Sequence, residues 1–445
     1  MITGPRKPRL APVFLAGAGS RLLSPSIPFR YFGAAVAFHP LAWIALLAGA
    51  ESAPRFAGGL GWPLAALHLV TLGVLAMTAI GASLQLLPVA TRRAVGSERW
   101  PAAIWWLYTP GVALTALGMG SGVTPVLAVG GVCVLAALVG YALLLARNLV
   151  GAKGMPIVVA HAWAAFASLG YAIATAMSLA GAYVGVPVVD RAAALALHVA
   201  FAAYGFIGML ALGLSYILVP MFALSAAPDA RQAWASFACA ALALVLAGAA
   251  ALGFAPATLR TIAVGAALAA VVLHLRLMAI ALKTGLRRHL GRSFALVRVA
   301  WGFLVASLVA ALGVVHDAPV AGVATLFGFA LIGGWLLTFL LAILQRIVPF
   351  LASMHAGQVK MRGKGLPPTP SALTAERPLA IHCACHLAAL ALLALAIAFG
   401  SVLALRVAAA TGAAGALAYG AFFVTVLRRM RRRDAARSAG AMPAT

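Results

Sequence analysis

An all-α integral membrane protein with twelve transmembrane helices is the fold that this sequence predicts. Of its 445 residues, 64% are hydrophobic and 9% are charged, and the mean hydropathy is +1.06. A soluble domain of this size needs a larger polar surface, so a soluble enzyme and a disordered chain are both excluded. Helices are predicted because a chain in hydrocarbon must pair its backbone polar groups within each segment.

Twelve apolar segments, separated by polar, Pro or Gly breaks, give the helix count. Each is close to or above the ~20 residues that cross the hydrocarbon core. They fall at 31–50, 61–90, 101–119, 122–146, 156–186, 191–225, 232–253, 257–282, 294–314, 319–352, 378–399 and 401–427. One membrane domain is therefore predicted over 31–427, between a tail over 1–30 and a basic tail over 428–445, with a non-helical Pro/Gly-rich cytoplasmic loop over 353–376.

The basic residues orient these segments. Twelve spans place both termini on one side, and 26 of the 32 Lys and Arg residues fall on that side. Cytoplasmic loops carry such an excess, so both termini are predicted to be cytoplasmic. The net charge of +25 is explained by these loops, which makes the lipid bilayer the predicted partner and argues against nucleic acid.

An internal repeat is predicted from the second, sixth and tenth segments. They end at Pro88, Pro220 and Pro349, which are 132 and 129 residues apart. When the prolines are aligned, Gly73, Gly205 and Gly334 coincide. Three units of four helices predict three arcs around the membrane normal. The alternative is coincidence, since Gly and Pro are common in membrane helices.

Histidines are the main candidates for chemistry, because an ionisable group inside a membrane is costly and is a functional hypothesis by default. The alternative for each is a hydrogen bond between helices. Seven of the ten lie within the apolar segments: His39, His68, His161, His198, His274, His382 and His386.

A run of metal-binding residue types opens the eleventh segment. It reads His382-Cys383-Ala384-Cys385-His386, and thiolate with imidazole suits Cu(I) or zinc. The two histidines share a helix face, whereas the two cysteines diverge on a regular helix. All four converge only if the first turn is unwound. The alternative is plain packing, since a buried cysteine often acts as a small hydrophobe.

The predicted arrangement resembles subunit I of the haem-copper oxidases, whose twelve helices form three four-helix arcs. The resemblance covers the topology and the segments HLVTLGVLAMTAIGASLQLLPV, GFIGMLALGLSYILVPMFALS and QRIVPFLASMH. The chain is also similar in size and topology to the NnrS family, which contains haem and copper, although the characteristic start of that family is absent. The resemblance implies a multi-pass protein of the bacterial inner membrane.

The resemblance also implies roles for two histidines. His68 lies where a histidine of the second oxidase helix ligates the low-spin haem, and His198 lies on the helix of a copper ligand. Residues 325–334 lack the partner histidines, and the seventh segment has none for copper, so an oxygen-reducing centre is not expected. His68 and His198 are candidates to share one haem. The proline alignment puts His68 opposite Ala200, so the two face apart unless a helix distortion intervenes.

The sequence therefore predicts a degenerate oxidase-like protein that binds haem or copper without reducing oxygen. Respiratory, nitric-oxide-stress or cofactor-assembly physiology is implied, with respiratory or assembly proteins as partners. The alternatives are a transporter of a small solute and a cofactor-free assembly partner. Catalytic residues are not predicted.

The orientation is tested with reporter fusions. Alkaline phosphatase fused after Thr445 should be inactive and green fluorescent protein fused there should fluoresce, because 26 of the 32 basic residues lie on that side. Phosphatase fused at Gly59 is the control and should be active. An active phosphatase at the C-terminus would contradict the orientation.

Overall fold

The computed structural model describes residues 21–186, 190–360 and 368–439. Within them, twelve helices are long and apolar enough to cross a membrane. In chain order they are α1 Ser26–Ala48, α2 Trp62–Thr91, α3 Arg99–Ser121, α4 Thr124–Leu149, α5 Pro156–Gly181, α6 Arg191–Ala223, α7 Ala230–Ala251, α8 Pro256–Thr284, α9 Gly291–Val315, α10 Val323–Ala356, α11 Glu376–Phe399 and α12 Val402–Arg431. The prediction of twelve helices is confirmed.

The predicted non-helical loop over 353–376 is wrong over part of its length. The α10 helix continues without a break to Lys360, and a short helix covers Pro370–Leu373. Residues 353–360 contain no Pro, the residue that most strongly interrupts a helix, so the helix continues through them. Residues 361–367 lie outside the described part. Helix also enters both predicted tails, since α1 begins at Ser26 and the α12 helix continues to Ala439.

Three helices form the centre of the bundle. In α2, α6 and α10, 67%, 89% and 61% of the most apolar window is buried, against at most 44% in any other span. The π segments of α2 and α6 both contact the π segment of α10. The outer helices expose large apolar side chains such as Trp106, Phe399 and Leu403, as expected where lipid is the solvent.

The outer helices pack in a regular order around this centre. The strongest pairs are α3 with α4, α7 with α8, and α11 with α12, while α1, α5 and α9 pack on α2, α6 and α10 respectively. Contacts of α4 with α5, α8 with α9 and α12 with α1 complete the ring.

Glycines allow the central helices to approach their neighbours closely. A methyl group added at Gly73 would lie 2.9 Å from Phe38 on α1. A methyl group at Gly334 would lie 2.4 Å from the Phe303 ring on α9. On α6, a methyl group at Gly205 would lie 2.5 Å from a side-chain atom of α5. Small residues at helix contacts are the usual means of close packing in membranes.

The central helices share a backbone feature that hydropathy does not reveal. Each contains a π-helical segment: Leu69–Ala76 in α2, Ala200–Gly208 in α6 and Phe329–Leu337 in α10. Elsewhere in the described chain no π segment occurs. Such segments are rare and concentrate at functional sites.

The glycine contacts are tested by adding one methyl group. Gly334→Ala should destabilise the protein by about 1–3 kcal/mol, because the ring of Phe303 leaves no room for it. The measurement is the thermal unfolding midpoint in detergent. The control is Gly302→Ala on α9, where a methyl group meets no atom within 4 Å; equal midpoints for the two variants would contradict the packing argument.

Candidate functional site

A large apolar cavity lies between the three central helices. Its volume is about 1240 Å³, and its walls include parts of all three π segments. The lining also includes Gly58 and Gly59 of the loop after α1, so the cavity lies toward the predicted outer side. Among its polar lining residues are His68 on α2 and His198 on α6.

His68 is held by its own helix. Its Nδ1 lies 3.0 Å from the carbonyl oxygen of Leu64, one turn earlier. A carbonyl oxygen can only accept, so Nδ1 carries the proton and Nε2 keeps a lone pair. The residue directly precedes the π segment of α2.

His198 is held in the same way by a neighbouring helix. Its Nδ1 lies 3.2 Å from the carbonyl oxygen of Ala172 and 3.4 Å from the Thr175 hydroxyl, both on α5. Nε2 therefore keeps its lone pair. Neither this Nε2 nor that of His68 has a hydrogen-bond partner among the described residues.

The structure brings these two predicted residues to one cavity. On regular helices they would face apart, but a π segment begins directly after His68 and two residues after His198. The corresponding part of α10 presents Phe327 and Phe329 to the cavity.

Two arginines from different helices line the outer part of the cavity. Arg191 begins α6 and Arg260 lies near the start of α8. The Arg191 guanidinium lies 5.2 Å from the centre of the Tyr183 ring, and its Nη2 donates to the Tyr183 hydroxyl at 3.4 Å. The cavity therefore combines apolar walls, two histidines and a basic outer edge.

The His382–His386 run does not gather its four side chains. Helix α11 is regular from Glu376 to Phe399. The two histidine rings stack with centroids 5.5 Å apart. Cys383 instead lies 3.9 Å from Nε2 of Gln345 on α10, while Cys385 packs against Gly415 on α12. In the described ranges, no group of three or more His, Cys, Asp or Glu side chains has an arrangement that could hold a metal ion.

The histidine pair of α11 has neighbours that the sequence did not reveal. His39 on α1 contacts the His382 ring at 6.3 Å, and Tyr419 on α12 contacts it at 4.8 Å. Nδ1 of His382 bonds to the carbonyl oxygen of Gly415 at 3.1 Å. His39 accepts a hydrogen bond from Nε1 of Trp43 at 3.2 Å. The presence of His39 within an apolar segment was the only available signal.

Thr338 connects this cluster to the π segment of α10. Its hydroxyl donates to the carbonyl oxygen of Gly333 at 2.9 Å and lies 2.8 Å from Nε2 of His386. Since the single hydroxyl proton goes to the carbonyl, Nε2 of His386 is the donor of the second bond. Thr338 thus links His386 of α11 to a carbonyl group in the π segment of α10.

Comparisons with known proteins support the fold. No family model and no curated protein matches the chain. A haem-copper terminal oxidase, solved as a dimer by cryo-electron microscopy, matches with a TM-score of 0.55 and 13% sequence identity. The match covers 95% of this chain and 85% of the oxidase chain. The protein is therefore a multi-pass membrane protein with a haem-copper-oxidase-like fold, as the sequence predicted; the NnrS similarity stays a prediction.

The role of Thr338 is tested by an isosteric change. Thr338→Val should cost about 1–3 kcal/mol, because it removes the acceptor for buried His386 and the donor for the Gly333 carbonyl. Thermal unfolding in detergent measures the loss. Thr338→Ser keeps both bonds and should lose only the burial of one methyl group, about 0.8 kcal/mol; a valine variant at least as stable as the serine variant would refute the assignment.

Proposed function

We propose that the protein binds one haem in the central cavity, where His68 and His198 would hold it. This proposal rests on the position and the hydrogen bonding of the two histidines. Both line the same cavity, and both use Nδ1 on a backbone carbonyl. Histidines that ligate a metal through Nε2 typically donate Nδ1–H to such an acceptor.

The remaining lining also fits this group. Haem is a large planar ring with apolar edges and two carboxylates. The apolar walls and the volume of about 1240 Å³ accommodate the ring, since ligand pockets commonly measure ~300–1,000 Å³. Arg191 and Arg260 supply the charge that complements the carboxylates.

The residues of the chain have distinct tasks in this proposal. The carbonyl groups of Leu64 and Ala172 fix the orientation of the two histidine rings. The apolar walls keep water away, which favours a stable ligation and tunes the redox potential. Haem bound by two histidines supplies reversible one-electron transfer.

Oxygen reduction is not part of this proposal. Helix α10 carries no histidine within 325–334, and α7 carries none over its whole length. The resemblance to the oxidases therefore extends to their fold but not to their full ligand set. We infer a role in respiratory, nitric-oxide-stress or cofactor-assembly physiology, in a bacterial inner membrane and with respiratory or assembly partners.

We also infer that the chain consists of three repeated four-helix units, each forming one arc. Helix order supports this, since the contacts of α1–α4 recur in α5–α8 and α9–α12. The helix ends add support: Arg92 and Leu224 each lie four residues after the aligned proline and adopt left-handed backbone, with φ of 59° and 56°. In both turns the next backbone N–H donates to the proline carbonyl.

Visible spectroscopy tests the haem proposal. Protein purified in mild detergent after expression with added haem precursor should give a reduced-minus-oxidised spectrum with sharp α and β bands, typical of two histidine ligands. His68→Ala and His198→Ala should each remove this signature, because one ligand remains in each. The control is His289→Ala, which alters an exposed loop histidine.

Two results would overturn the haem proposal. One is a featureless spectrum from folded wild-type protein supplied with haem. The other is an unchanged spectrum in both alanine variants. With no haem bound, the alternative of a transporter for a small neutral or anionic solute would become the favoured one.

A further inference from the structure

A further histidine pair lies inside the bundle, away from the large cavity. His161 on α5 and His274 on α8 both contact the ring of Tyr216 on α6. The centroid distances are 5.5 Å from His161 to Tyr216 and 5.0 Å from Tyr216 to His274. All three side chains are buried, with at most 1% of their surface exposed, and none lines the large cavity.

Three nitrogen atoms of this pair lack hydrogen-bond partners. Nδ1 of His161 bonds to the carbonyl oxygen of Ile157 at 2.8 Å, which leaves a lone pair on Nε2. That Nε2 has no partner among the described residues, and neither nitrogen of His274 has one. Buried polar atoms are nearly always paired. A neutral imidazole has one N–H group and one lone pair, so the three atoms supply two lone pairs, one on each ring, and one N–H group of His274. Both rings contact Tyr216, and the two lone pairs point to a bound ligand that accepts them.

The packing holds the first of these histidines in place. A methyl group at Gly213 of α6 would lie 2.5 Å from Cβ of His161, so α5 and α6 approach each other directly there. The Ile157 carbonyl then orients the ring through Nδ1. A carbonyl acceptor behind a histidine is a common feature of metal ligation.

The position of the acidic residues limits the charge that a bound ion can carry. The chain has seven Asp and Glu residues, and none lies in the interior of a membrane-spanning helix. The ion would therefore keep its full charge inside the bundle. The cost of burying an ion rises with the square of its charge, so a divalent ion costs about four times as much as a monovalent one.

The ligand types select the metal. Imidazole suits zinc, copper, iron and nickel, and of these only copper is commonly monovalent. Cu(I) has a closed d shell and accepts two imidazole ligands. Met278 adds a soft thioether one helical turn after His274, on the same helix face, and is fully buried.

We propose that His161 and His274 form a binding site for one Cu(I) ion. His161 binds through Nε2 and His274 through one ring nitrogen, while Tyr216 packs against both rings. The site uses none of the haem ligands proposed above and does not depend on them.

Copper titration of the full-length protein tests the site. Purified protein is loaded with Cu(I) under anaerobic reducing conditions and competed with a chromophoric Cu(I) chelator. Wild-type protein should retain one copper per chain. His161→Leu and His274→Leu should each weaken binding at least tenfold, because a single imidazole remains. The control is His39→Leu, which removes an equally buried histidine and should leave the affinity unchanged.

A second variant separates ligation from folding. His274→Met keeps a soft ligand and should retain copper within about tenfold of wild type, whereas His274→Leu should not. Size-exclusion profiles and unfolding midpoints establish that each variant is folded. His68→Ala should bind copper normally, and His274→Leu should keep the visible spectrum of haem, so failure of either site is seen separately.

Three outcomes would overturn the copper site. The first is folded wild-type protein that retains no Cu(I). The second is retention that His161→Leu and His274→Leu leave unchanged. The third is stoichiometric binding of Zn²⁺ without binding of Cu(I), which would contradict the selection of a monovalent ion.

Discussion

The pairing of backbone polar groups inside hydrocarbon governs the architecture of this helical bundle. It requires regular helices wherever the chain meets lipid. Within the described residues, π-helical segments occur only in α2, α6 and α10, which other helices surround. Side chains donate to carbonyl oxygens there, as Tyr108 does to Leu72 and Thr338 to Gly333. The irregular segments are tolerated because protein replaces lipid around them.

The same segments create the central cavity and set its chemistry. They line it from three sides, and His68 and His198 lie directly before or within two residues of two of them. Glycines at the helix contacts let the outer helices close around this centre. The candidate site therefore lies where the backbone of the central helices departs from regular α-helix.

Histidine replaces carboxylate as the buried polar residue of this protein. Neutral imidazole is far less costly in hydrocarbon than a charged side chain. A backbone carbonyl holds Nδ1 of His68, His161 and His198 alike and leaves Nε2 with a lone pair. The interior is thereby rich in neutral nitrogen donors, and the Asp and Glu residues of the described chain lie outside the interiors of the spans.

The sequence by itself determined the twelve helices, because hydropathy is a local property, and it singled out α2, α6 and α10 by their prolines and glycines. It also placed seven histidines within the apolar segments, but it assigned His355 to a loop, and that residue is buried near the end of α10. Which histidines meet depends on how the helices are rotated against one another. His382 and Cys383 are neighbours in sequence yet face different helices, whereas His39 lies against His382 from the other end of the chain. The physical reason is helix rotation, which is set by packing between helices and by π segments that change the face on which each later residue lies.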